Sequence, residues 1–223
     1  MAYNFDFPAV LAYSPQLASG VGYTLMLTAV GALVGVSLGI LGAVLRAWRI
    51  KPFSGFFGLY VELIRNTPFI VQLFFIFFGL PALGLRLSEG QAALFAVIIN
   101  LGAYSTEIIR AGIQAIPRGQ IEAASSLAMT RPQIFRHVVL RPALQKVWPA
   151  LSSQIVIVML GTSVCSQIAA EELTFAANFI QSRNFRAFET YIIVALIYLA
   201  LSVALRALLS RVGQRFVSGR RSA

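Results

Sequence analysis

Apolar residues fill whole windows of this chain, and short polar or basic stretches separate the windows. Five such windows approach the roughly 20 apolar residues that a helix needs to cross about 30 Å of hydrocarbon. They predict spans at about 20–45, 53–80, 90–109, 147–169 and 190–209. Glu62 and Arg65 interrupt the second window, and Arg206 lies close enough to the end of the fifth to snorkel. Residues 1–19 read as a tail before the first span, and 213–223 as a basic tail after the last. The stretch 111–146 is too polar to span.

Composition supports a membrane chain. Of 223 residues, 58% are hydrophobic and 12% charged, more apolar surface than a soluble core of this size absorbs. One cysteine, Cys165, excludes a disulfide scaffold, and one histidine, His137, excludes a Cys/His metal cage. With a single aspartate, Asp6, in addition, the chain lacks the groups for a membrane-embedded enzyme, so no catalytic residue is assigned. The net charge of +10 does not point to nucleic acid, because the basic residues lie between apolar windows rather than in one basic domain.

Those basic residues predict the topology. Lys and Arg concentrate in the loop after the first window (Arg46, Arg49, Lys51), in the third-to-fourth connection and in the C-terminal tail, where Arg220 and Arg221 are the last. The alternate loops carry Arg86, Arg183 and Arg186, the last two offset by Glu171, Glu172 and Glu189. The positive-inside rule then places the N-terminus outside and the C-terminus in the cytoplasm. The N-terminus lacks the basic region of a cleaved signal peptide, so the first span is expected to stay in place.

Polar residues inside the windows are costly in hydrocarbon and need partners or water. In the second window Glu62 and Arg65 share a helix face at i, i+3 and can neutralise each other, at a gate or as an interfacial pair; Asn66, Thr67 and Gln72 extend the polarity, and Pro68 removes a backbone donor. The third window adds Asn100, Tyr104 and Glu107, with Arg110 three residues on. The fourth adds Gln154, Thr162 and Ser163, although hydroxyls in a membrane helix often bond their own helix carbonyls. One polar stripe in each of three windows indicates a hydrated path, a gate or a polar helix interface. In the first window Gly31, Gly35 and Gly39 recur every four residues, a face suited to close helix packing.

The stretch 111–148 is patterned rather than disordered. GQIEAASSLAM predicts a short helix over 119–129 with Ile121, Ala124, Leu127 and Ala128 on one face. Thr130 and Pro132 supply a cap and an early-turn proline for a second short helix through Ile134 and Leu140. Such a pair at the membrane surface suits docking on a partner protein.

These residues resemble the inner-membrane permease subunits of ATP-binding-cassette importers for polar amino acids, the group serving histidine, glutamine, arginine and opine uptake. The resemblance runs through VELIRNTPFIVQLFFIFFGLP, AYSTEIIRAGIQAIPRGQIEAA and TSVCSQIAAEEL, with the EAA signature at Glu122, Ala123 and Ala124. It implies an all-α type I importer permease fold of five transmembrane helices in a bacterial inner membrane. It also implies that the EAA helix couples to a separate ATPase, with Gly119, Gln120, Glu122, Ala123, Ala124, Ala128 and Arg131 in the coupling region. Where the family usually has glycine, this chain has Ala128, whose Cβ resists positive φ, so a different turn is expected.

The resemblance implies partners: ATPase subunits that bind ATP and Mg, a second permease subunit, identical or homologous, and a periplasmic amino-acid-binding protein. The chain has no GxxxxGK[ST] loop, since neither Lys51 nor Lys146 has the flanking residues, and it carries no cofactor of its own on this reading. The expected cargo is a polar amino acid or derivative, a basic one included. An ATP-independent secondary transporter or channel is the alternative, but it leaves the paired cytoplasmic helices without a purpose.

Overall fold

The computed structural model describes residues 4–217, and Arg220 and Arg221 of the basic tail lie outside the described residues. Every regular element among them is helical. Residues 1–19 are not a plain tail, because α1 (Pro8–Leu11) buries Val10 and α2 (Ser14–Ala47) starts six residues ahead of the predicted span. At 34 residues α2 is about 51 Å long, well beyond the hydrocarbon thickness. It packs along α5 (Glu89–Gln114), which a Ser88–Gln91 capping box starts: Gln91 N donates to Ser88 Oγ at 3.3 Å, and Ser88 N to Gln91 Oε1 at 3.0 Å.

The glycine row sets this seam. A methyl added at Gly35 would lie 3.1 Å from Leu101 Cβ, and one at Gly39 would lie 3.0 Å from the backbone of Ser105 and Thr106. At Gly31 it would overlap the Val97 side chain. The row is a packing face, which lets the two helices approach more closely than any side chain allows.

The second predicted span is not one helix. It breaks at 66–68 into α3 (Phe53–Arg65) and a second arm, Phe69–Leu83, bent by 112°. That arm opens as α4 (Phe69–Phe74) and continues through a π-helical turn, Phe75–Gly79, and a 3₁₀ turn, Leu80–Leu83. Pro68 adopts an extended ψ of 142° and has no N–H to offer Ile64, so the helical ladder stops there.

The opposite happens after α6 (Arg118–Ser126). The expected second surface helix does not stand apart: α7 (Arg131–Gln133), a π-helical stretch Ile134–Leu140, α8 (Arg141–Gly161) and a 3₁₀ segment Thr162–Ile168 run on as one rod. The widened π turn precedes Pro142 and keeps its ring from the carbonyl four residues back. The connection after this rod, read as a loop, contains α9 (Leu173–Asn184), and α10 (Ala187–Val212) is the last long helix. Among the described residues four helices are long and apolar enough to cross a membrane, and the bent pair, taken as one span, makes five.

Candidate functional site

The break at 66–68 strands the last carbonyls of α3, and the polar residues read from the sequence answer them one by one. Asn66 Nδ2 donates to Glu62 O at 2.8 Å, and Thr67 Oγ1 donates to Leu63 O at 2.8 Å. Gln72 Nε2 reaches back from the second arm to Ile64 O at 2.7 Å and Thr67 O at 2.9 Å. Its other end accepts from Asn100 Nδ2 at 2.9 Å, which ties the break to α5. In hydrocarbon, unmet carbonyls cost several kcal/mol each, so irregular backbone survives at depth only with such substitutes. Much of the polarity in the second window therefore satisfies its own backbone.

The remainder lines a cavity. A space of about 270 Å³ opens beside the break between α5 and α8, walled by Thr67, Asn100, Tyr104 and Gln154, with Pro68, Phe69, Ile157 and Gly161 supplying the apolar surface. Thus five predicted residues from three windows, Thr67, Gln72, Asn100, Tyr104 and Gln154, converge: four line the cavity and Gln72 braces its wall. Phe69, Ile157 and Gly161 were missed, since apolar residues in an apolar window carry no contrast; Pro68 was the one signal that the backbone opens here.

The other candidates separate from this cluster. Glu62 and Arg65 do not pair: both are exposed, and the Arg65 guanidinium lies 5.5 Å from the centre of the Tyr104 ring, a cation–π contact at the cavity's edge. Among the described residues the ion pairs are Arg46–Glu107, Arg110–Glu107 and Arg186–Glu189. Glu107 holds Arg110, three residues on, and also Arg46 Nη1 of α2 at 2.7 Å, a clamp across the α2–α5 seam rather than a cavity residue. Thr162 and Ser163 donate to Met159 O and Leu160 O, both at 2.7 Å, which is the local bonding open to hydroxyls in a helix.

A second surface stands at the end that carries Arg46 and Glu107. On α6 only Ala124 is buried, against Ile116, Ile134 and Val139, while Gly119, Gln120, Glu122, Ala123 and the following Arg131 are exposed. The predicted apolar face is only partly covered, for Ile121 is 36% and Leu127 77% exposed. Lys146 Nζ donates to Ala115 O at 2.9 Å and fastens the connector that enters α6. The turn that leaves it differs from expectation. Ala128 adopts φ 56°, with Ala128 N donating to Ser125 O and Met129 N to Ala124 O, the paired bonds of a Schellman ending. The turn that favours glycine is kept with alanine in it.

The residues that build both surfaces fall inside a single family match: residues 35–218 match the binding-protein-dependent transport system inner membrane component. The chain belongs to that family. A relative, the L-cystine transport system permease protein TcyB of Bacillus subtilis, is 37% identical over 188 residues, covering 84% of this chain and 80% of its own. The glutamine transport system permease protein GlnP of Escherichia coli is 34% identical over 219 residues, 95% of this chain and 98% of its own. Among solved structures, a crystal structure of an amino acid ABC transporter with histidines superposes with a TM-score of 0.86 at 38% identity, over 96% of this chain and 100% of that one. The inward-facing MetNI methionine ABC transporter shares the fold, with a TM-score of 0.74 at 22% identity over 89% and 94%. As an inner membrane component of this family, the chain has the type I permease fold, and its part is transport.

Proposed function

We propose that this chain is the permease subunit of an ATP-binding-cassette importer for a polar amino acid or derivative, seated in a bacterial inner membrane with its N-terminus outside. Relatives named for cystine and glutamine transport support the cargo class. The cavity beside the broken span offers amide, hydroxyl and phenol groups around an apolar floor, a lining that fits a small zwitterion. Arg65 at its edge presents a cation to the carboxylate of such a cargo.

The drive comes through α6. A nine-residue helix anchored by one buried alanine, with Glu122 exposed on it and Leu127 77% exposed at its end, is a handle that something else must grip. That observation carries the reading: α6 docks on a separate ATPase, which binds ATP and Mg, and its closure rocks the spans through Lys146 and the Ile134–Val139 contact. A second permease subunit completes the path, and a periplasmic amino-acid-binding protein delivers the cargo. Purified assemblies in sealed vesicles test this: uptake of a labelled amino acid should require both the ATPase and ATP. Uptake with the ATPase omitted would contradict it and favour a secondary transporter.

A further inference from the structure

A second open groove, of about 820 Å³, lies on the outer surface of the bundle, away from the polar cavity. Its walls are Leu41 and Leu45 from the last turns of α2 and Phe53, Phe56 and Phe57 from the start of α3, with Pro52 at its end. Leu41, Phe53 and Phe56 are 52%, 55% and 69% exposed, so this is a furrow open to the surroundings rather than packed core. Nothing polar lines it. The connector 48–52 that joins its two walls carries Arg49 and Lys51, both exposed, and neither enters the ion pairs that hold Arg46 and Arg110 on Glu107.

Two details mark the rim as a headgroup level. Trp48 is 48% exposed and meets Phe135 edge to face with ring centroids 4.9 Å apart, the kind of half-wet indole found at membrane interfaces. Arg49 sits at φ 53°, ending α2 through bonds from Arg49 N to Arg46 O at 3.2 Å and from Ile50 N to Leu45 O at 3.0 Å. Glycine would hold that backbone at less cost, yet an exposed arginine stands there, on the connector that joins the two walls of the furrow.

We propose that the furrow between α2 and α3 is a binding site for an anionic phospholipid, its acyl chain lying against Leu41, Leu45, Phe53 and Phe56 and its phosphate meeting Arg49 and Lys51. The charge at the rim decides the class. A protein partner would leave two cations beside an apolar furrow to be matched, whereas a membrane supplies both the chain and the negative charge from one molecule. Each basic residue near an anionic surface contributes roughly a fivefold preference.

The test is lipid retention by the full-length permease, purified with whatever subunits accompany it and passed through nanodiscs of equal phosphatidylglycerol and phosphatidylcholine. Bound lipid is then counted by native mass spectrometry. The wild type should hold phosphatidylglycerol in clear preference, Arg49→Gly should lower that preference roughly fivefold, and the double variant with Lys51→Gln should remove it. Arg49→Gly relieves the left-handed backbone, so a loss of lipid in that variant does not stem from misfolding. Equal retention of the two lipids by the wild type, or a preference that survives in the double variant, overturns the assignment. So does a photo-crosslinker at Phe56 that captures a protein chain instead of lipid in native membranes. Glycerol 3-phosphate, which lacks the acyl chain, should not displace the bound lipid; displacement would refute the role of the furrow.

Discussion

The α2–α5 seam and the break in the second span treat the same apolar medium in opposite ways. Along the seam, both helices keep every turn and glycine removes side chains so that backbone meets backbone. At 66–68 the helix is given up, and side-chain amides and hydroxyls take over the bonds that the backbone has lost. The first arrangement tolerates no added atom and makes a rigid scaffold. The second leaves polar groups and space, and it is there that the cavity forms. Rigidity and chemistry are thus placed on neighbouring helices.

The seam should be the easier to break. Gly39→Leu must push into Ser105 and Thr106 backbone, and a loss of about 3 kcal/mol or more is expected from reversible unfolding in bicelles. Gly22→Ala, whose methyl would meet nothing, should cost nothing and gain up to about 1 kcal/mol of helix propensity. Equal losses in the two variants would show that the glycine row does not set the contact.

The break should respond to loss of hydrogen bonds rather than of space. Gln72→Leu keeps much of the volume but frees Ile64 O, Thr67 O and Asn100 Nδ2, and hydrogen bonds in membrane proteins average about 0.6 kcal/mol with a maximum near 1.7. A loss of about 2 kcal/mol with impaired uptake is expected. Unchanged uptake at lowered stability would confine the amide to a structural part.

A third device lies where the fourth-to-fifth connection packs on the spans: Glu172 is wholly buried, accepting from Phe175 N at 2.9 Å and from Tyr198 Oη of α10 at 2.5 Å. Glu172→Leu strands both donors and should lower the melting temperature. An unchanged melting temperature would show that the buried acid does not hold α9 to α10. The smallest effect is expected at Ala128→Gly, which relieves the left-handed turn after α6 and should raise stability by up to about 1 kcal/mol with uptake retained.

How much of this was readable follows the same division. The glycine row and the cap at Thr130 are local patterns and appear where the sequence put them, whereas of the long apolar windows the first begins earlier, the second is broken and the fourth extends back to Arg131. The pairing of Glu62 with Arg65 failed, because spacing says which residues share a face and not that a ring on another helix, Tyr104, competes for the cation. Pro68 was legible as a missing donor, but the 112° bend depends on Gln72 and Asn100 meeting from separate helices. The second short surface helix failed as a separate element, because Pro142 falls in the first turn of α8 and Pro149 is accommodated within it, so one rod continues past both. Glu172 and Glu189 entered the reading as loop charges, and both are buried.

The claim on which the rest depends is that α6 is gripped by another subunit. Gly119 offers the direct probe, since a side chain added there meets nothing and the chain's one cysteine, Cys165, is buried. In a Gly119→Cys variant within the intact assembly, a short bifunctional reagent applied to inside-out membranes should join this helix to the ATPase. Transport should be lost in step with the cross-link. Labelling of that cysteine only from the outer face, or a cross-link to no other chain, would contradict the account.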